Sequence, residues 1–293
     1  MLRFFFALLV FVLLWGHVIR PSSALDEGRG VETVQASGID ITVFTYRPRG
    51  CVDPSFLIVF HGMNRKAERI RNNAEDAADS LCLVVVAPHF DQERFPNWRY
   101  QRAGVVRAER VQPREEWTAP IVEALVHWVR RQTNRPDAKL YLFGHSAGGQ
   151  LLGRVFAYAP ISGIERIVIA NPSVYVLPLL TEPVPTGFDG LFTDAEADRR
   201  VHEYLSLPIT IYLGSEDTGE KNLVRTDAAM RQGDHRRERG HTVFRIGEKI
   251  AAQHGWPFQW TLVEVPGVGH SSRAMLNAPA FAAALGLQGA DED

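Results

Sequence analysis

The residues whose types and order suggest chemistry are Gly144-His145-Ser146-Ala147-Gly148-Gly149, directly behind the apolar run Leu140-Tyr141-Leu142-Phe143. A serine with glycine two positions to either side, leaving a buried strand and entering a helix, sits on a sharp turn that presents its hydroxyl. Side chains at the flanking positions would collide across such a turn, and glycine removes them. The first helical N–H groups, that of Ala147 among them, then point to where an oxyanion would form. The chemistry open to such a serine is attack on an acyl carbonyl. With 24 glycines in 293 residues, the pattern alone is within reach of chance, so its partners decide.

A serine nucleophile needs a base to take its proton, and the base needs an acid to fix its tautomer. The chain holds ten histidines, and position separates them. His270 follows the apolar run Leu262 to Val265 through Pro266-Gly267-Val268-Gly269, a turn from which an imidazole can swing towards Ser146. Asp217 lies between the two in sequence, just after the apolar run ending at Leu213, with Glu216 beside it as the competing carboxylate. His127 and His254 fall in helical patterns, and His202, His235 and His241 in polar stretches. Ser146, Asp217 and His270 therefore make a nucleophile–acid–base order known from alternating strand–helix sheets. Phe60-His61-Gly62-Met63 ends another apolar strand at a His-Gly pair. The Met63 N–H is the expected second oxyanion donor beside that of Ala147.

The elements that would position these residues follow from periodicity. Val31 to Ala36 and Ile39 to Tyr46 read as a hairpin around Ser37-Gly38. Phe56 to Phe60, Leu83 to Ala87, Lys139 to Phe143, Ile164 to Ile169, Ile209 to Leu213 and Gln259 to Val265 read as strands buried on both faces. Between them, Ala67 to Leu81, Trp117 to Val129 (before a breaker at Pro136), Gln150 to Tyr158, His241 to Gln253 and Arg273 to Leu285 read as helices. An antiparallel start followed by strand–helix alternation predicts an α/β sandwich: a mostly parallel sheet of about eight strands, helices on both faces, and sites at the carboxyl ends of the strands. The proline-rich stretch 171–207 is expected to be irregular, a candidate small lid.

Composition sets the remaining bounds. At 45% hydrophobic and 23% charged residues the chain fits a single globular domain, 25–293. A net charge of −2 argues against a general nucleic-acid partner. The basic cluster Arg231 to Arg239 reads as a solvated loop face. Residues 1–24 read as a cleaved export signal: a basic start, an apolar run from Phe4 to Trp15 and the small residues Ser22-Ser23-Ala24. That run spans about 18 Å as a helix against a hydrocarbon core of about 30 Å, so no stable membrane span is expected. Export makes Cys51 and Cys82, just before and at the start of two successive strands, a candidate disulfide, with two independent thiols as the alternative. No metal-ligand spacing and no phosphate-binding glycine loop is found, and no cofactor is expected.

On His61-Gly62, the Ser146 hexapeptide and the lack of a large helical cap, the mature chain resembles the α/β-hydrolase superfamily, within it the polyhydroxybutyrate depolymerase and feruloyl esterase group. The resemblance implies an α/β-hydrolase three-layer sandwich and an exported carboxylic-ester hydrolase with Ser146, Asp217 and His270 as triad, acting on a small or polymeric ester. Members of that group often carry cysteine where this chain has Met63, but only the backbone N–H is used. An acyltransferase with the same triad and a non-catalytic binding protein are the rival readings. Trp98, Arg99 and Tyr100, in a loop that also holds Phe95, are candidates to overhang the site. Tyr175 is a candidate for an acyl pocket.

Overall fold

The computed structural model describes residues 25–132 and 137–287. The export signal at 1–24 and the breaker Pro136 lie outside the described residues. In chain order the protein runs β1 (Gly28–Ala36), β2 (Ile39–Arg47), β3 (Ser55–Phe60), α1 (Ala67–Asn73), α2 (Glu75–Leu81) and β4 (Leu83–Pro88). It continues with α3 (Asn97–Tyr100), the short pair β5 (Val106–Arg107) and β6 (Arg110–Val111), α4 (Ala119–Arg131), β7 (Leu140–His145), α5 (Ala147–Tyr158) and β8 (Arg166–Ala170). Then come α6 (Asp194–Leu205), β9 (Ile209–Gly214), α7 (Asp227–Met230), α8 (Arg236–His254), β10 (Thr261–Val265), α9 (Ser272–Leu276) and α10 (Ala280–Ala284).

Eight strands form one sheet in the order β1-β2-β4-β3-β7-β8-β9-β10. The pairs β1–β2 and β2–β4 are antiparallel and the rest parallel. Apolar residues on both faces of the central strands make this arrangement stable, because a strand sandwiched by helices has no wet face. On β3, Ile58 and Phe60 face one core while Leu57 and Val59 face the other. On β7 the same alternation separates Leu140 and Leu142 from Tyr141 and Phe143. Two cores on one sheet are the three layers expected from the strand–helix alternation. Among the described residues no helix is long and apolar enough to cross a membrane.

Several expected elements take a different form. The helix expected over Ala67 to Leu81 is α1 and α2, meeting at Ala74, which caps both. The helix expected over Arg273 to Leu285 is α9 and α10, because Pro279 cannot continue a helix through its missing N–H. The irregular stretch 171–207 contains α6 over its last third. The largest correction concerns Arg231 to Arg239. This is not a solvated loop face: α8 starts at Arg236, and Arg236 and Arg239 are fully buried. His235 caps that start, its ring accepting from the Glu238 N–H, while the Glu238 carboxylate accepts from the Asp234 N–H.

The parallel register of β3 and β4 opposes Ser55 to Leu83 and brings the two cysteines together. Cys51 and Cys82 form a disulfide with Cα atoms 5.8 Å apart.

Candidate active site

The backbone at Ser146 adopts φ 57° and ψ −111°, a conformation that L-residues avoid and that persists only where the surroundings enforce it. Three enforcers are visible. The Ser146 N–H donates to Ala170 O at 2.9 Å, and its carbonyl accepts the first α5 bond from Gln150 at 3.0 Å. A Cβ on Gly144 would fall 2.4 Å from Gly148 O, and one on Gly148 would fall 2.3 Å from Phe60 O. Glycine at these two positions is therefore a packing requirement: the elbow closes on itself and on β3. At Gly62 an added Cβ would meet Ser146 Cβ at 3.8 Å, ordinary contact, so that glycine is not forced by the elbow.

The imidazole of His270 and the hydroxyl-bearing Ser146 line the same cavity of about 630 Å³, with His61, Gly62, Met63 and His145. His270 Nδ1 lies 2.6 Å from Asp217 Oδ2. Asp217 is buried behind the histidine, 1% exposed, so its carboxylate fixes the orientation of the ring through Nδ1. The two loops that carry Asp217 and His270 are stitched to each other. Ser215 N–H donates to Val265 O and Glu216 N–H to Val268 O, both at 3.0 Å, while Gly267 N–H donates to Ser215 Oγ at 2.8 Å. The approach is close enough that a Cβ on Gly214 would sit 2.3 Å from Val268 O.

Met63 lines the cavity with Ser146, and Ala147 is the first residue of α5. Among the described residues, neither the Met63 N–H nor the Ala147 N–H is taken by a backbone or side-chain acceptor. The strand end that presents Met63 is held by His61, whose Nδ1 bonds to Gly62 O at 2.9 Å and whose Nε2 accepts the Phe90 N–H at 3.2 Å. Burial, reinforced by Arg65 and His89, pushes the His61 pKa down to about 3, so the ring is neutral. Tyr100 stacks on it at 4.8 Å and donates its hydroxyl to His61 O at 2.7 Å.

The expected substrate residues are placed elsewhere. Trp98, Arg99, Tyr100 and Tyr175 do not line the Ser146 cavity. Tyr100 is fully buried beneath the His61 strand end. Trp98 lies under the Arg107 guanidinium, and Arg99 lies over the Phe95 ring and accepts Thr118 Oγ1 on its carbonyl. Tyr175 is buried and exchanges two hydrogen bonds with the Gln232 amide, at 2.9 and 3.0 Å. Nor does any residue of 171–207 line the cavity; Val174 to Leu177 and Phe188 are buried in the protein.

Two residues gain roles that the sequence did not suggest. His145, inside the elbow, packs against His270 with ring centroids 4.6 Å apart and the rings tilted by 39°, and burial followed by the neighbouring His270 lowers its pKa well below the usual value. Arg236 reaches from α8 to Asp217 Oδ1 at 3.4 Å, to Gly219 O at 3.1 Å and to Lys221 O at 2.7 Å. The helix-start pattern His235-x-x-Glu238 could have flagged this segment as ordered.

No family model matches the chain, and no curated protein matches it. Among solved structures, LpqC, a poly(3-hydroxybutyrate) depolymerase from Bordetella parapertussis, superposes with TM-score 0.81 at 30% identity over 93% of this chain and 97% of that one. The chain is an α/β-hydrolase. This hydrolase is also similar to poly(aspartic acid) hydrolase-1 from Sphingomonas sp. KT-1, with TM-score 0.77 and 31% identity over 86% of this chain and 96% of that one. An S-formylglutathione hydrolase from Agrobacterium tumefaciens shares the hydrolase's fold at 17% identity, TM-score 0.51, over 89% of this chain and 95% of that one.

Proposed function

We propose that the protein is a serine esterase that cleaves carboxylic esters through an acyl-enzyme. The observation that carries the reading is the cavity lined by both the strained Ser146 and His270, the latter hydrogen-bonded to Asp217. His270 Nε2 takes the Ser146 Oγ proton as the oxygen attacks the ester carbonyl. The oxyanion of the tetrahedral intermediate accepts hydrogen bonds from Met63 and Ala147 N–H, each such donor being worth about 10²–10³ in rate. Collapse breaks the ester C–O bond, and the alcohol leaves with the proton from His270. Water then gives a proton to His270, adds to the acyl carbon and releases the acid, restoring Ser146. Asp217 holds the imidazole orientation and stabilises its charged form.

A polymeric or oligomeric ester is the proposed substrate type, because the two relatives near 30% identity are named for hydrolysis of polymers. Export is proposed as well, supported by the Cys51–Cys82 disulfide, a bond that persists in oxidising compartments.

The test is Ser146→Ala against p-nitrophenyl butyrate, with a fluorophosphonate probe on the parent protein. The reading requires the parent to be labelled at Ser146 and the variant to lose at least about 10³-fold in kcat/KM. An unlabelled parent, or a variant as active as the parent, overturns it.

A further inference from the structure

Arg154 is a buried cation without a counter-charge among the described residues. It stands on α5, about two turns beyond Ser146, and is 2% exposed. Its Nη1 donates to Gln150 O, one turn back, at 3.0 Å. Its Nε is buried without a partner, and no carboxylate pairs with the group. Arg71 and Arg236, buried to the same degree, each hold a carboxylate: Glu75 at 3.5 Å and Asp217 at 3.4 Å. Burial pulls the Arg154 guanidinium from 12.5 down to about 10, so it is still charged at neutral pH. A charge that has left water with nothing to replace its hydration is unstable, which is why buried ions are paired.

The surroundings of Arg154 supply rings, a hydroxyl and a second cation. Tyr158, one turn further along α5, and Tyr204, on the neighbouring α6, both feel its charge. Tyr158 gives its hydroxyl to Gly187 O at 2.7 Å. The hydroxyl of Tyr204, a residue 1% exposed, bonds to no described residue. The Phe188 ring lies between the two tyrosines, 5.6 Å from Tyr158 and 5.9 Å from Tyr204. Arg102, exposed and without an ion pair, adds positive charge that works against Arg154. The carboxylate felt at Tyr158 is that of Glu182, but both its oxygens hold Arg231, at 2.9 and 2.8 Å. Positive charge and an unused hydroxyl donor thus meet in an apolar setting whose nearby acid is engaged.

We propose that Arg154 marks a binding site for one small monovalent anion, a halide such as chloride, held between α5 and α6 by the Arg154 guanidinium and the Tyr204 hydroxyl. One buried cation calls for one counter-charge, which sets the valence. A guanidinium with so little exposure sets the size, since an organic acid would have to push the rings apart. The anion would fasten α5, the helix that begins at Ala147, to α6 without touching a substrate, and the site stands whether or not the protein is an esterase.

The test follows thermal unfolding at constant ionic strength while sodium chloride replaces sodium gluconate, whose anion is too bulky for the interior. The parent midpoint is expected to rise by about 5 °C once chloride exceeds its dissociation constant a hundred-fold, and bromide is expected to act likewise. Arg154→Met keeps an unbranched side chain and removes the charge, so its midpoint is expected to be the same in both salts. Crystals of the parent soaked in sodium bromide are expected to show an anomalous peak within hydrogen-bond distance of the Arg154 guanidinium, a readout that does not depend on the variant folding. A parent with equal midpoints in chloride and gluconate, an Arg154→Met protein that responds as the parent does, or crystals without a bromide peak beside Arg154 overturns the inference.

Discussion

The guanidinium of Arg236 lies 3.4 Å from the Asp217 carboxylate, with both side chains 1% exposed, while the other oxygen of that carboxylate holds His270 Nδ1 at 2.6 Å. The carboxylate of Asp217 is thus held from two sides in a position buried from solvent. A buried carboxylate left without its cation is costly, because the interior cannot replace its hydration.

Arg236→Met is therefore expected to lower stability by about 3–5 kcal/mol, read from the midpoint of urea unfolding, and to lower kcat in whatever fraction stays folded. Arg236→Lys keeps the charge but loses the fork that also reaches Gly219 O and Lys221 O. Its loss should be smaller on both measurements. Equal stability of Arg236→Met and parent would show that Asp217 does not depend on this partner.

Gly214 sits where the Asp217 loop and the His270 loop approach closely, beside Val268 O. Gly214→Ala would place a Cβ 2.3 Å from Val268 O, and the loops must part to admit it. A displacement of this order at the acid–base pair is expected to cost about 10²-fold in kcat/KM. Ester hydrolysis beside a far-ultraviolet circular dichroism spectrum checks that the loss is local.

Stability should fall as the pH drops from neutrality into the acid range. The folded protein holds His61 neutral down to about pH 3, against an ordinary value of 6.5, so in between the unfolded chain binds a proton that the folded chain refuses. Stability therefore rises with pH across that window, by up to about 1.4 kcal/mol per pH unit for one such group. His145 is shifted in the same direction and adds to the slope. The groups facing His61 are Arg65, His89 and Tyr100, and Arg65 and His89 both work against its protonation. Urea midpoints measured across the acid range should decline in the parent and decline less steeply in His61→Gln.

Reducing the Cys51–Cys82 bond frees a loop spanning 31 positions. The chain-entropy relation puts the loss near about 3–4 kcal/mol. Thermal unfolding with and without a thiol reductant measures it, and an unchanged midpoint would contradict the expectation.

What could be read from the sequence was whatever depends on local pattern. The strands from Phe56 to Phe60 and from Leu140 to Phe143 announce themselves as short apolar runs, and Ser146, Asp217 and His270 follow strand ends where the backbone turns. The buried arginines were not legible in this way. Arg236 and Arg239 stand in a run rich in charge, and nothing in local periodicity says that Asp217, Gly219 and Lys221 will be waiting in space. The loop aromatics failed for the opposite reason. Tyr100 and Tyr175 lie near strand ends in sequence, but their large apolar rings are stabilised more by burial than by exposure at a cavity. A side chain that closes a polar network across elements has no short-range signature, and neither does the direction in which a loop aromatic turns.

The bond between the cysteines and the cavity that Ser146 lines lie at opposite ends of β3. The disulfide fastens the chain where β3 begins, and Met63 and the cavity lie where β3 ends. Damage to one pole should therefore be felt as ageing, not as impairment. A preparation whose bond has been opened would consist of molecules that each turn over at the usual speed while their number dwindles, so that activity per labelled Ser146 stays constant as total activity decays.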